Sequence, residues 1–217
     1  MKRLLVCLLL VGVVGCGESD ADKAISESDK GIDFAEREDW DTAIACFTKA
    51  IRINPDYADA YYNRGKAYDE LGQSDKAIAD YSEAIRIKPD YAEAYFNRGE
   101  AYRDNHKRLA DYSEAIRIKP DYADAYFERG DMYQFLKEFD KAIADYSDYI
   151  EVIRTKPVYK NSQPLLWYYA YYRRGKAHRE LGNDVKAEAD FAKYEELLAK
   201  DQAKQKAKER GYEPDDE

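Results

Sequence analysis

The 217-residue sequence is poor in the groups that do chemistry: two His, three Cys, two Met, two Trp and six Pro. It holds no HExxH, GxSxG, CxxC or phosphate-loop glycine pattern, so neither a hydrolytic triad nor a structural zinc site is indicated. Basic residues are outnumbered, 35 Lys and Arg against 44 Asp and Glu, for a formal net charge of -9. That excludes the net basic face on which phosphate recognition depends, and with it a nucleic-acid partner. No catalytic residue, metal site or cofactor is expected, and the chain is not read as an enzyme. Paired acids such as Asp75 with Asp80 and Asp140 with Asp145 recur at fixed intervals, as charges on a solvated helix face would.

Long apolar runs are also missing, except for one. Leu4 to Val14 is apolar apart from Gly12, follows Lys2 and Arg3, and ends at Gly15-Cys16. A spanning helix needs about 20 apolar residues, so this run is half of one and reads as a signal peptide. Val13-Val14-Gly15-Cys16 resembles the lipobox of bacterial lipoproteins, which implies cleavage after residue 15, lipidation of Cys16 and attachment to a membrane through the lipid. Gly17, rather than Asp, follows the Cys, so the resemblance favours the outer membrane facing the periplasm over the inner membrane. Cys46 then has no intramolecular partner, and stability must come from packing.

Aromatic side chains are abundant, 21 Tyr, 7 Phe and 2 Trp, and they recur. Asp80 to Phe96 reads DYSEAIRIKPDYAEAYF and Asp111 to Phe127 reads DYSEAIRIKPDYADAYF, one difference in seventeen. Extending this match gives a Gly column at Gly31, Gly65, Gly99, Gly130 and Gly175, spaced by 34, 34, 31 and 45 residues. A ring stands three residues after the first four glycines, at Phe34, Tyr68, Tyr102 and Tyr133, and His178 takes that place in the fifth unit. A second ring comes later, at Phe47, Tyr81, Tyr112, Tyr146 and Phe191. Within a unit the apolar positions fall at helical spacing in two runs, separated at Gly72 and stopped at Lys88-Pro89-Asp90. Ser74 is expected to cap the second run.

This period and content resemble the tetratricopeptide repeat, a helix-turn-helix unit of about 34 residues. The resemblance implies an all-α, right-handed superhelical solenoid of about five repeats. It divides the chain into a signal peptide (1–15), a lipidated Cys with a short linker (16–23), the array (24–199), and a helix extension with a charged tail (200–217). Cys46 stands where later units carry Asp80, Asp111, Asp145 and Asp190, a column expected on a partly wet face. The third unit is three residues short, and Arg108 falls where Ala43, Ala77, Ala142 and Ala187 stand elsewhere. Either its first helix loses a turn or the pair changes register. A surface loop is expected over 155–164.

In proteins of this family the first helices line a concave groove that holds a protein or peptide segment. The residues that fall there are Asp59, Tyr62, Lys66 and Asp69; then Glu93, Phe96, Glu100 and Arg103. The fourth unit gives Asp124, Phe127, Asp131 and Gln134, and the fifth gives Tyr169, Tyr172, Lys176 and Arg179. Tyr62, Phe96, Phe127 and Tyr172 form an aromatic stripe beside acidic residues. Such a stripe either binds a partner or packs as core, and burial in a homodimer is another use of it. The resemblance as a whole implies a membrane-anchored interaction scaffold of the bacterial cell envelope. The alternatives are a self-associating structural lipoprotein and a periplasmic adaptor for a peptidoglycan enzyme.

Overall fold

The computed structural model describes residues 19–156 and 164–209, and among them the chain forms ten helices and no strand. They pair in five units: α1 (Asp20–Ala35) with α2 (Trp40–Ile53), α3 (Ala58–Glu70) with α4 (Ser74–Ile87), and α5 (Ala92–Ala101) with α6 (Asn105–Ile118). The series continues with α7 (Ala123–Phe135) and α8 (Phe139–Thr155), then α9 (Pro164–Glu180) and α10 (Asp184–Glu209). Each second helix packs on the first helix of the next unit, which makes a solenoid. First helices of neighbouring units also touch, α1 with α3, α3 with α5 and α7 with α9, so that row lies on the inside of the stack. No described helix is long and apolar enough to cross a membrane. The expected signal peptide, Cys16, most of the expected 155–164 loop and the last eight residues lie outside the described residues.

Each pair is held by the Gly column. A Cβ added to Gly31, Gly65, Gly99, Gly130 or Gly175 would come within 2.6–2.9 Å of the ring of Phe47, Tyr81, Tyr112, Tyr146 or Phe191 respectively. Side-chain bulk is therefore excluded where the ring of the second helix lies on the backbone of the first. Ala43, Ala77, Ala142 and Ala187 are fully buried beside the same contact.

The turns between paired helices need a left-handed residue. Gly72 (φ 68°) and Gly182 (φ 72°) supply it without a Cβ penalty, but Glu38 (φ 60°) and Lys137 (φ 61°) stand at the same place in the first and fourth units. In all four the next amide donates to a carbonyl five residues back, for instance Gln73 N to Tyr68 O at 2.8 Å and Glu138 N to Tyr133 O at 2.8 Å. Ser74 does not cap α4: it is the first helical residue, and the cap position is Gln73, with no side-chain bond. The array also begins earlier than Ala24. Ser19 caps α1 by accepting from Asp22 N at 3.1 Å while its own N–H donates to Asp22 Oδ2 at 3.2 Å. Only residues 17–19 then separate Cys16 from the helix.

The third unit loses a turn. α5 has 10 residues where α3 and α7 have 13, Tyr102 is extended (ψ 139°), and Asp104 caps α6 by accepting from Lys107 N at 2.9 Å. Register is kept, because Gly99 still faces the Tyr112 ring. Arg108 avoids the tight contact by turning toward Glu100, to which it donates at 3.4 Å, and by donating to the Tyr112 hydroxyl at 2.9 Å.

The Asp column is not wet. Asp80, Asp111, Asp145 and Asp190 are 3–6 % exposed, and each accepts two bonds, at 2.7–2.9 Å, from the Arg that precedes the unit's Gly: Arg64, Arg98, Arg129 and Arg174. The third nitrogen of each guanidinium donates to a hydroxyl of the preceding unit, Thr48, Ser82, Ser113 or Ser147, at 2.9–3.1 Å. One fork thus ties two helices of its own unit and one of its neighbour, and the buried charges are paired in the bidentate geometry that Arg favours. The ends of the array break this relay. The first unit has Lys30 and Cys46 in place of Arg and Asp, and the fifth has Ala192 in place of the hydroxyl.

Candidate partner-binding groove

The inner face is built by α3, α5, α7 and α9, and the stripe rings sit between neighbouring rings. Tyr62 lies 5.9 Å from Tyr81 and 4.8 Å from Tyr91; Phe96 lies 5.7 Å from Tyr112 and 5.0 Å from Tyr122. Tyr172 packs on Phe191, Tyr194 and Tyr169. These three are half-buried. Phe127 is different: it is 7 % exposed and wedged among Tyr146, Tyr149 and Tyr169, so it belongs to the core. The stripe is therefore part wall and part floor.

Charged side chains are tied to the rings. Lys66 and Lys176 lie over Tyr62 and Tyr172 at 5.8 and 5.7 Å. Glu93 pairs with Lys119 at 2.9 Å, Glu100 accepts from the Tyr112 hydroxyl, and Arg179 pairs with Glu188 at 2.6 Å. Asp131 accepts from the Tyr146 hydroxyl at 2.5 Å and from Arg173 at 2.9 Å, and Gln134 accepts from the same hydroxyl at 3.0 Å. Asp59 and Asp69 are half-buried and Asp124 is exposed. Arg103 is not in the row at all: α5 ends at Ala101, which leaves Arg103 beyond the helix, at the turn edge.

A further column belongs to the face and was not among the expected residues: Asn97, Glu128 and Arg173, one position before the Arg of the relay. Asn97 donates to the Tyr62 hydroxyl across two units at 3.0 Å. Glu128 is half-buried; burial, with Glu100, Asp131 and Asp124 adding and Arg108 opposing, pushes its carboxyl up to about 7. The middle of the face is an acidic stretch in which one carboxyl is protonated over part of the physiological range.

The first unit contributes the most apolar part. It has Ser28 where later units carry the stripe ring, and Ile32 and Ala35 where the second unit has Lys66 and Asp69. Between α1, α2 and α3 this leaves a pocket of about 310 Å³ with Phe47 and Ala67 in its lining, Ile32, Ala35 and Trp40 around it, and Lys66, Glu36 and Glu70 alongside.

Family models for the TPR repeat match residues 31–72 and 70–105, and a model for the tetratricopeptide repeat matches 123–155. The chain is a tetratricopeptide repeat protein. Its repeats superpose on the crystal structure of MamA protein with a TM-score of 0.71 and 25% identity, over 84% of this chain and 95% of that one. The first TPR of Spaghetti, solved with an HSP90 peptide bound, matches at 27% identity and a TM-score of 0.53 over 55% of this chain and 97% of that one. YrrB, described as a TPR protein with an unusual peptide-binding site, shares the fold at 18% identity and a TM-score of 0.64, over 80% of this chain and 86% of that one. A sequence comparison with curated proteins gave no match.

Both surprises of this TPR array had a sequence signal. The Asn97, Glu128 and Arg173 column is one residue from the stripe on a helix whose inner side is more than one residue wide. The apolar pocket was legible in Ile32, Ala35 and Trp40, three apolar residues at places where the second unit is polar (Lys66, Asp69, Ser74).

Proposed function

We propose that this protein is a membrane-anchored scaffold of the bacterial cell envelope whose inner face binds an extended or helical segment of another protein. The observation that carries the reading is the inner face itself: an apolar pocket between the first two units, half-buried rings at Tyr62, Phe96 and Tyr172, and an acidic middle at Glu100, Glu128 and Asp131. A segment with a bulky apolar residue toward one end and basic residues after it complements that order. Rings and the pocket give affinity, and the acids steer association and are screened by salt. Peptide capture in the Spaghetti structure supports the same use of the face here.

The anchor rests on the Val-Val-Gly-Cys site. With Cys16 lipidated, residues 17–19 hold the start of α1 within roughly 14 Å of the lipidated residue, and the outer membrane facing the periplasm is the expected site. Cys16→Ala should move the protein out of the membrane fraction or leave it uncleaved; unchanged fractionation with an unlipidated Cys16 would refute the anchor.

Pull-down from solubilised membranes with mass spectrometry tests the groove. Ile32→Asp with Ala35→Glu places charge in the pocket at positions that are not deeply buried, so helicity should hold while the captured partner is lost. Recovery of the same partner by the double variant would refute this face. Dimerisation of the lipid-free protein that disappears in the same variant would assign the face to self-association instead.

A further inference from the structure

The turn missing from α5 changes the outside of the array as well as its packing. Three residues of helix are about 4.5 Å of length, and their loss opens a notch of about 660 Å³ at the edge formed by the helix-connecting turns, between the start of α4 and the start of α6. It lies away from the inner face. Tyr102 and Ile78 give it apolar wall, and Lys76, Arg103 and Lys107 stand around it.

The notch carries more cations than carboxylates, in a chain of net charge -9. In the fourth unit the matching lysine, Lys141, has a carboxylate partner in Glu138. At the notch neither lysine has such an ion pair. Lys76 has Gln73, to which it donates at 2.7 Å, and Lys107 has Asp104, whose carboxylate is spent on capping α6. Among the described residues, none of Lys76, Arg103 and Lys107 has a carboxylate within 4.0 Å. Lys76 and Lys107 instead rest over Tyr68 and Tyr102, at 5.1 and 5.2 Å, which holds each ammonium in place with its other side toward solvent. Two second helices begin at the notch, α4 at Ser74 and α6 at Asn105, and their dipoles add to the positive potential there. Asp75 and Asp104 are the opposing charges within the lining, two carboxylates against three cations.

We propose that this notch is a second docking site, for an acidic peptide segment of a partner protein, with carboxylates on Lys76, Arg103 and Lys107 and an apolar side chain against Tyr102 and Ile78. Its sign is opposite to that of the inner face, so one molecule can hold two segments of different charge on two surfaces. The site does not rest on the groove being occupied.

Fluorescence anisotropy of the lipid-free protein with a labelled peptide Glu-Glu-Leu-Phe-Glu-Glu tests the proposal, beside a Gly-Ser peptide of equal length and a Lys-Lys-Leu-Phe-Lys-Lys peptide. The acidic peptide should bind most tightly and lose affinity with added salt. Arg103→Glu should weaken it several-fold, and Lys76→Glu with Arg103→Glu and Lys107→Glu at least ten-fold. Insertion of Glu-Leu-Gly after Arg103, which rebuilds the turn of the second unit, should abolish binding while helicity rises or holds. The pocket variant Ile32→Asp with Ala35→Glu should bind the acidic peptide as wild type does. Equal binding of the three peptides, retention of affinity in the charge-reversed and turn-restored variants, or full displacement by millimolar inorganic phosphate would overturn the proposal, the last by showing a site for a bare anion.

Discussion

Arg98 and Asp111 face each other across the third unit with Nε and Nη2 each 2.8 Å from a carboxylate oxygen, while Nη1 reaches back 3.1 Å to Ser82 of the unit before. The pair is largely out of water, with side-chain exposures of 17 and 8 %. Removing one member leaves the other buried without its partner, which costs about 3–5 kcal/mol. Arg98→Ala should therefore lower the urea midpoint strongly, and Arg98→Lys, which keeps charge but loses the fork, should recover only part of it. Ser82→Ala should cost about 1 kcal/mol. A double-mutant cycle between Ser82→Ala and Arg98→Ala that showed no coupling would mean that the bond between units contributes nothing.

The turns make a prediction of the opposite sign. Glu38 and Lys137 hold left-handed backbone, a conformation that costs a residue with a Cβ about 1–2 kcal/mol, and glycine gives part of that back through its own flexibility when unfolded. Glu38→Gly and Lys137→Gly should each stabilise the array by about 0.5–1 kcal/mol, and Gly72→Ala should destabilise it by a similar amount. Thermal unfolding decides; a lower midpoint for Lys137→Gly would show that its side chain stabilises the turn by more than the backbone strain costs.

The pairing of helices could be read from the sequence because Gly65 and Tyr81, or Gly99 and Tyr112, recur at fixed positions and their contact is local to one unit. The relay could not be read as easily. Arg64 with Asp80 looks like two exposed charges on two helices, and only the close approach enforced by Gly65 buries them and brings Thr48 into reach. Asp80 and Asp145 were expected on a solvated face for that reason. Phe127 looked like Phe96 because the two flanking sequences are nearly identical; what separates them is Tyr149 and Tyr169, which close over Phe127 and have no counterpart around Phe96. Arg103 left the inner face because the missing turn ends α5 before it; the sequence offers a lost turn and a change of register alike, since a three-residue deletion does not say which helix absorbs it.

His178 replaces the tyrosine of the other units at a place with a defined environment. Tyr68, Tyr102 and Tyr133 each lie between an Arg (Arg64, Arg98, Arg129; 5.9–6.0 Å) and a Lys (Lys76, Lys107, Lys141; 5.1–5.2 Å). His178 has Arg174 and Lys186 at the matching positions. Burial lowers its pKa below 6.5, with Asp190 opposing and Lys186 and Arg174 adding to the shift. The folded state thus binds fewer protons than the unfolded state just below pH 6.5, so stability is full above that pH and falls as the pH drops through the folded value. His178→Tyr should remove this part of the acid sensitivity and raise the midpoint at pH 5.5 more than at pH 8. An equal gain at both pH values would show that the imidazole does not titrate in the transition.

Glu128 works in the other direction. Its carboxyl, pushed up to about 7, stands above its ordinary value of 4.5, so between these values the folded state holds a proton that the unfolded state has released. Stability from this group is present at low pH and is lost as the pH rises from 4.5 through about 7. Glu100, Asp124 and Asp131 face it as like charges and Arg108 as the opposing one, so a cationic partner side chain at this place would offset the repulsion and release the proton. Glu128→Gln should flatten the neutral limb of the stability profile and raise the midpoint at pH 8, with little change at pH 5. It should also weaken capture of a basic segment more at pH 8 than at pH 6, because only the ionised carboxylate attracts it. Calorimetry in two buffers of different ionisation enthalpy reads the released proton directly. Wild-type binding at pH 7 with no proton release, alongside unchanged affinity in Glu128→Gln, would place the basic part of the partner away from the fourth unit.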